Sequence, residues 1–497
     1  MHLEKLKINS ADAKLFASIF TLLILRIYTI LFPTHYQQDD VSELRVTYFD
    51  DFFCAIYYGG DNHPIFSSLI WIMSKFSSKP EYLISVLIIV VTSISLFQIF
   101  KLVTDKFSFE VAIISFGMFI FSPALTTYTV SLKQYMFEFF ASIYVLSFIY
   151  KNIKSDYRNF RIKKFLIISA ILFSISFVNI IPIFVGFLFI LLRDKKVNLK
   201  LLILFLLPIT PFINSFTKKA QRVNQGGYWD SFFITNTENM NLLENLNFLT
   251  SLFIKSYLPE NINYLGIILF ILSILFAIYS RDTLIQLALF GTFLIFLLSA
   301  IQFYPLGAGR TDLVFFPFAM LIFCNFIYKA LNFFEIKPAI ILSLLVIFTI
   351  NGIVNSKPFY KDENIEPVIE LFEEKFNNDS YEIIVIKDQA PSLFYYSKEL
   401  SIENSSPDLN SCMKKVSYFE NVSVLNNNGL IKNIYSTPSE VSLNDLNREN
   451  LILFGVELPG TEGSFRLFIE EIKKDYIQIN YIEFDNYMKL FYFDKNE

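Results

Sequence analysis

Two adjacent carboxylates, Asp39 and Asp40, lie in a polar stretch directly after the first long apolar run of the chain. The stretch covers residues 33–64, adds Glu43, Asp50, Asp51 and Asp61, and closes on Asn62-His63-Pro64. A carboxylate partly shielded from water becomes a better base, so either aspartate can take a proton from an attacking hydroxyl. The plainer alternative is that the pair solvates a loop or caps a helix opening near Val41. His63 precedes a proline and favours an extended or turn conformation, while Pro64 suits the first turn of a helix. From there the imidazole can donate to a phosphate or a sugar, or simply sit at an interface.

Two further clusters carry charge that a reaction can use. In Ser131-Leu132-Lys133-Gln134-Tyr135-Met136-Phe137-Glu138, helical spacing puts Lys133 with Phe137 and Gln134 with Glu138. Lys133 can neutralise a lipid phosphate, or snorkel to the interface with Tyr135 in an aromatic belt. Glu138 is harder to explain away, because an acid inside an apolar span is costly unless it is paired or faces a cavity. In Tyr304-Pro305-Leu306-Gly307-Ala308-Gly309-Arg310-Thr311-Asp312, the glycines free the backbone and Arg310 offers a planar fork suited to bidentate phosphate contact. Its alternative is a tight turn in which Arg310 pairs with Asp312. Residues 214–263 hold Lys218, Lys219, Arg222 and Gly226-Gly227-Tyr228-Trp229-Asp230. That segment reads either as a cover in which Tyr228 and Trp229 stack on a sugar face, or as an interfacial helix with aromatic anchors. Tyr135, Glu138, Tyr304, Tyr228 and Trp229 are thus the candidates for contacting substrate.

The elements that must position these groups are membrane helices. The chain has 497 residues, 54% of them hydrophobic and 58 of them phenylalanine, with mean hydropathy +0.46. A soluble domain carries about 45–50% apolar and about 25% charged residues, whereas only 18% are charged here. Apolar runs able to cross a hydrocarbon core of about 30 Å recur through the first 355 positions. Spans are expected over 13–32, 82–103, 109–128, 134–150, 165–178, 181–192, 199–213, 264–279, 283–303, 313–328 and 338–353, about eleven in all. The 13–32 run is too long for a signal-peptide core and lacks a small-residue cleavage site, so it is expected to stay as the first span.

The net charge of −4 says little, because the basic residues are segregated. Lys151, Lys154, Arg158, Arg161, Lys163 and Lys164 follow the fourth span, and Arg193, Lys195, Lys196 and Lys200 follow the sixth. Both loops therefore face the cytoplasm. Counting back places the N-terminus inside and the Asp39 loop outside; counting forward places residues 355–497 outside. That last segment has soluble composition, with a helix expected over 366–376, strands over 382–387 and 451–458, and a hairpin of 476–484 with 488–493. The expected organisation is a helical membrane domain over 1–354 and a small extracytoplasmic α/β domain over 355–497. Cys54 and Cys412 both fall on the outer side, where they are free to pair or to stay as thiols, and Cys54, Cys324 and Cys412 form no metal-ligand spacing. No phosphate-binding glycine loop and no nucleic-acid signature is present.

The order and shared side of these clusters resemble the C-type (GT-C) membrane glycosyltransferases, in the branch of protein O-mannosyltransferases and lipid A aminoarabinose transferases. The resemblance rests on Asp39-Asp40 after the first span, His63-Pro64 before the second, Lys133-Gln134-Tyr135 opening the fourth, and the Tyr304 to Arg310 turn. It covers the membrane region, while the closing domain is similar in placement only. It implies an enzyme, integral to the cell membrane, that moves a sugar from a polyprenyl-phosphate donor to a glycan, lipid or protein acceptor at the outer face, with inversion. Asp39 or Asp40 matches the base; Lys133 and Arg310 match the donor-phosphate ligands, with His63 in support. No cofactor is implied, and any divalent-metal requirement stays open. The sequence departs from the pattern in having Asp-Asp where Asp-Glu is common and Ile65 where a second proline is common.

Three rivals stand beside this reading. A lipid or polysaccharide transporter would carry more ionisable residues or broken helices at mid-membrane, where Arg26, Glu138 and Asn179 are few polar groups. A glycan polymerase or ligase would place its arginines in a large late loop. A bundle serving only to anchor an outer binding domain would have no need of inward-facing acids.

Overall fold

The computed structural model of the protein describes residues 44–48, 52, 63–77, 79–119, 122–154, 159–194, 232–235, 241–257, 263–307, 309–334 and 343. Toward the C-terminus it describes 381–386, 400–401, 424–426, 429–431, 434–435, 450–456, 469–470, 472–474, 476–484 and 488–495. The chain divides into two compact units: Met1–Pro33, Asp61–Phe66 and Ile84–Phe359 form one, and Thr34–Gly60, Ser67–Leu83 and Tyr360–Glu497 the other. The spans expected over 13–32, 199–213 and, apart from Ser343, 338–353, the helix over 366–376, and Cys54 and Cys412 lie outside the described residues.

The described helices are α1 (Pro64–Phe76), α2 (Pro80–Lys106), α3 (Phe109–Phe119), α4 (Pro123–Val130), α5 (Tyr135–Lys154) and α6 (Asn159–Ile175). They continue with α7 (Ile180–Asp194), α8 (Leu242–Tyr257), α9 (Asn263–Ile278), α10 (Thr283–Ala300) and α11 (Phe316–Phe334). Among the described residues, α2, α10 and α11 are long and apolar enough to cross a membrane. The protein is an integral membrane protein. Lipid explains the apolar side chains left open on α2, where Val86, Val90 and Ile94 recur every fourth residue. Thr92, Ser93 and Ser95 on the same helix satisfy their hydroxyls on the carbonyls of Ile88, Ile89 and Val91, as hydrocarbon surroundings require.

The expected spans are broken where the sequence has a cap. The run over 109–128 is two helices, because Ser122 turns extended (φ −60°, ψ 138°) and its side chain accepts from the Leu125 N–H. Pro123 then takes the first helical position, where its missing N–H costs nothing but prevents continuation of α3. The run over 165–178 ends at Ile175; Ser176 caps a 3-10 turn, Phe177–Asn179, before α7 begins. Ahead of α11, Arg310–Val314 forms another 3-10 turn. Residues 214–263 contain α8, whose Asn241 and Glu244 bond reciprocally, Asn241 Oδ1 to the Glu244 N–H at 2.9 Å and Glu244 Oε2 to the Asn241 N–H at 3.2 Å.

Aromatic rings fill the bundle. Phe316, at the start of α11, lies 4.5 Å from Tyr257 at an interplanar angle of 12° and 5.8 Å from Phe139 at 28°. Phe165 stacks on Phe148 at 4.2 Å. Glycine permits the tightest approaches: a Cβ at Gly291 would lie 2.6 Å from the Phe318 ring, and one at Gly186 2.5 Å from the Phe165 ring. At the far end of α2, Lys106 pairs with Asp282, and Asp282 also caps α10 through the N–H groups of Leu284 and Ile285.

In the other unit, a five-stranded sheet runs in the order β5-β1-β6-β8-β7, from β1 (Tyr381–Ile386), β5 (Ile434–Tyr435), β6 (Asn450–Val456), β7 (Tyr476–Phe484) and β8 (Met488–Lys495). β1 pairs in parallel with β5 and β6, and β8 pairs antiparallel with β6 and β7. β1, β6, β7 and β8 fall on the runs expected at 382–387, 451–458, 476–484 and 488–493, and β5 falls on none of them. A second, antiparallel sheet joins β2 (Leu400–Ser401), β3 (Val424–Asn426) and β4 (Gly429–Ile431).

The α10–α11 contact sets a stability test. Gly291→Val should destabilise the protein by about 1–3 kcal/mol through overpacking against Phe318, read as a lower thermal midpoint in detergent. An unchanged midpoint would disprove the close-packing account.

Candidate active site

The site begins where α4 ends. Ser131 is extended (φ −76°, ψ 138°), and Gln134 caps α5 by accepting the N–H groups of Phe137 at 2.9 Å and Glu138 at 3.3 Å. Lys133 therefore lies in the turn before α5 and not on the helix expected from spacing. Gln134 and Glu138 keep their one-turn relation, and each meets a different neighbour.

The Gln134 side-chain nitrogen is 2.8 Å from His63 Nε2. The amide and the ring are thus within hydrogen-bond distance, with the roles of donor and acceptor set by the tautomer. The same ring stacks on Phe177, centroids 6.0 Å apart and planes at 22°. His63 immediately precedes Pro64 at the start of α1, as its place in the sequence suggests. Glu138 is 1% exposed, and its Oε1 accepts the Ser176 hydroxyl at 2.7 Å. The break between α6 and α7 thus supplies both a ring for His63 and a donor for Glu138. Asn179, in the same 3-10 turn, donates to the Leu172 carbonyl at 2.7 Å.

The 3-10 turn Arg310–Val314 packs on α4, α5 and α11. Gly307 (φ +81°) and Gly309 (φ +66°) adopt backbone that side chains rarely tolerate. Leu306 donates its N–H to the Phe232 carbonyl at 2.9 Å, Tyr304 donates to the Thr311 carbonyl at 3.2 Å, and Thr311 donates to the Pro305 carbonyl at 3.2 Å. Burial, followed by the charges of Glu138 and Asp312, holds the Tyr304 phenol well above its ordinary value, while Arg310 pulls it down. Through its bond to Thr311, Tyr304 is held to the Arg310–Val314 turn, which packs on α5. Tyr135 itself packs edge-on against Tyr128 at 5.0 Å.

The fold therefore gathers His63, Tyr135, Glu138, Tyr304 and Arg310 around the start of α5, with Lys133 in the turn that opens it. Lys133 and Arg310 are half-buried. Asp39, Asp40, Tyr228 and Trp229 lie outside the described residues. Among the described residues no ion pair joins Arg310 to Asp312. Asp312 instead accepts the Gly307 N–H at 3.0 Å, the Gly309 N–H at 3.1 Å and the Ser256 hydroxyl at 3.1 Å. Burial pushes its carboxyl up to about 7, against the opposing pull of those donors. Ser176, Ser256 and Tyr257 were not singled out from sequence; a serine or tyrosine in an apolar run carries no sign of the acid it serves. Among the described residues no group of three His, Cys, Asp or Glu side chains is placed to hold a metal ion.

No family model matches the sequence, and no curated protein matches it. Among solved structures, the chain is similar to ArnT from Cupriavidus metallidurans in the apo state, with TM-score 0.56 and 8% identity over 97% of this chain and 98% of that one. It is also similar to the same protein bound to undecaprenyl phosphate, with TM-score 0.57 and 10% identity over 97% and 98% of the two chains. This chain has the C-type membrane glycosyltransferase fold. A third similarity, to the Archaeoglobus fulgidus oligosaccharyltransferase in the apo form, has TM-score 0.44 and 11% identity over 79% of this chain and 64% of that one, and adds no weight. At these identities the fold alone is shared, so residue roles rest on the chemistry of this chain.

Two predictions follow from the buried acids. Ser176→Ala should cost about 1–3 kcal/mol by removing a donor from buried Glu138, and less in a Glu138→Leu background, where only its cap on the Val178 N–H is lost; equal losses in both backgrounds, measured by thermal unfolding, would show that the pair is not coupled. For Asp312, the fold favours the neutral carboxyl, raised from 3.8 to about 7. Its contribution to stability is thus complete below pH 3.8 and lost as pH rises to about 7. A stability decline across that window should flatten in Asp312→Asn, and parallel pH profiles for the two proteins would refute the shift.

Proposed function

We propose that the protein transfers a glycosyl group from a polyprenyl-phosphate donor to a hydroxyl-bearing glycan, lipid or protein at the extracytoplasmic face, with inversion at the anomeric carbon. The observation that carries this reading is that Lys133 and Arg310, two cations from widely separated parts of the chain, lie on connections sharing α4 and α5, with His63 bonded to Gln134 between Lys133 and α5. A prenyl phosphate is an anionic head on an apolar tail, so it requires cations where a helix bundle meets the lipid interface. The fold likeness supports the same choice of donor, since ArnT has been solved bound to undecaprenyl phosphate.

In the proposed reaction Asp39 or Asp40 takes the proton of the acceptor hydroxyl, whose oxygen attacks the anomeric carbon. The bond from that carbon to the phosphate oxygen breaks, and the electron pair leaves with the polyprenyl phosphate. Lys133 and Arg310 stabilise the charge growing on this leaving group, the point at which fixed cations lower a barrier most. Tyr135, Glu138 and Tyr304 contact the substrate from the α5 side, and Tyr228 and Trp229 contact the acceptor. The reading includes about eleven spans, a cytoplasmic N-terminus, and an extracytoplasmic α/β domain over residues 355–497 following the membrane domain of 1–354.

The test is transfer from radiolabelled polyprenyl-phosphate sugars by the purified protein in lipid. One of Asp39→Asn and Asp40→Asn should reduce turnover by about 10²-fold or more while donor binding persists, and Lys133→Ala should weaken donor binding about tenfold. Deleting residues 226–230 should lower acceptor use without changing donor affinity. A donor lipid that neither binds nor turns over across a panel of sugars would favour the transporter instead.

A further inference from the structure

The turn that carries Arg310 is built around a carboxylate that the proposed reaction leaves idle. Asp312 is completely buried, two residues beyond Arg310. Its Oδ1 accepts the Gly307 N–H and its Oδ2 accepts both the Gly309 N–H and the Ser256 hydroxyl, at 3.0, 3.1 and 3.1 Å. Its main-chain carbonyl accepts the Tyr257 hydroxyl at 3.0 Å. One residue thus fixes the two glycines that lead into Arg310 and ties them to the end of α8.

The backbone geometry shows how closely this is fitted. Gly309, at φ +66° and ψ −70°, is the residue from which Arg310 opens the 3-10 turn. A Cβ at Gly307 would lie 2.8 Å from Leu252 Cβ and 3.0 Å from the Leu249 carbonyl oxygen, so the loop is pressed onto α8. Turns this constrained persist when surrounding bonds hold them, and here the Asp312 carboxylate supplies those bonds. We propose that Asp312 is a positioning residue: by bonding Gly307, Gly309 and Ser256 it holds Arg310 where the anionic head of a prenyl phosphate binds. The proposal rests on the assignment of Arg310 to that phosphate made above.

The sign of one substitution separates positioning from simple electrostatics. A negative charge near a phosphate site opposes binding, so if charge alone mattered Asp312→Asn would tighten it. If Asp312 positions Arg310, the same change weakens binding, because the amide keeps one acceptor oxygen and turns a donor toward an N–H or hydroxyl donor.

The measurement is the Kd for undecaprenyl phosphate, carrying no sugar, with the full-length protein in phosphatidylcholine nanodiscs above about pH 8, where the Asp312 carboxyl, pushed up to about 7, is ionised. Arg310→Ala should weaken binding about tenfold, the size of one charge-assisted contact. Asp312→Asn should weaken it by a similar factor in the wild-type background and by less than about twofold once Arg310 is alanine, because coupled residues are not additive. Ser256→Ala, which removes one of the three side-chain bonds, should give a smaller loss in the same direction and serves as the test if Asp312→Asn does not fold. Tighter or unchanged binding in Asp312→Asn overturns the proposal, and so does an equal loss in both backgrounds, which would mark general damage. Unchanged binding in Arg310→Ala would remove the phosphate assignment itself, and the positioning role with it.

Discussion

A buried polar group in an apolar bundle must find its partner within the protein, because neither lipid nor water is there to supply one. The functional end of this molecule is arranged around that constraint. Asp312 finds two backbone N–H groups and a serine, Glu138 finds Ser176, and His63 finds Gln134. Each acid or base is therefore fixed in place by groups from another element, and together they join α1, α5, α8 and the two 3-10 turns. Removing one partner costs more than the bond it made, since the other would stay buried without it.

The same constraint explains why the helices break where they do. A continuous helix over 109–128 or 165–178 would have no exposed end to offer. The breaks at Ser122 and Ser176 place capping hydroxyls and a 3-10 turn inside the bundle, and the second break provides both the Glu138 donor and the ring beneath His63. Glycine and phenylalanine act in complement around these breaks. Gly291 and Gly186 let rings approach a helix backbone, and the Tyr257–Phe316–Phe139 stack braces the start of α11 directly beyond the Asp312 turn.

Much of this was legible in the residues. Composition and apolar runs of membrane length announce an integral membrane protein, while short apolar runs near the C-terminus mark β1 and β6 and alternating hydrophobicity marks β7 and β8. The clusters around Lys133 and Arg310 stood out because charge next to a span is expensive and glycine pairs mark turns. What was illegible follows from the same reasoning. Lys133 was expected on a helix because spacing cannot reveal that Ser131 is extended and that α5 starts only at Tyr135. The alternative in which Arg310 pairs with Asp312 rested on proximity in sequence, whereas the carboxylate is claimed by Ser256 and by backbone N–H groups that are present at nearly every residue and distinguish none.

The sequence by itself determined the solvent, through hydrophobicity summed over long windows, and the residues with chemistry to offer, through ionisable groups in places where they are costly. Only the tertiary structure decided which of those groups meet. That decision depends on elements 38 to 172 residues apart in the chain packing side by side, and on bonds from Ser176, Ser256 and Tyr257, whose types are common in apolar runs. Such pairing is set by the shape of facing surfaces and the need to satisfy buried polar atoms, and neither is a property of a residue in isolation.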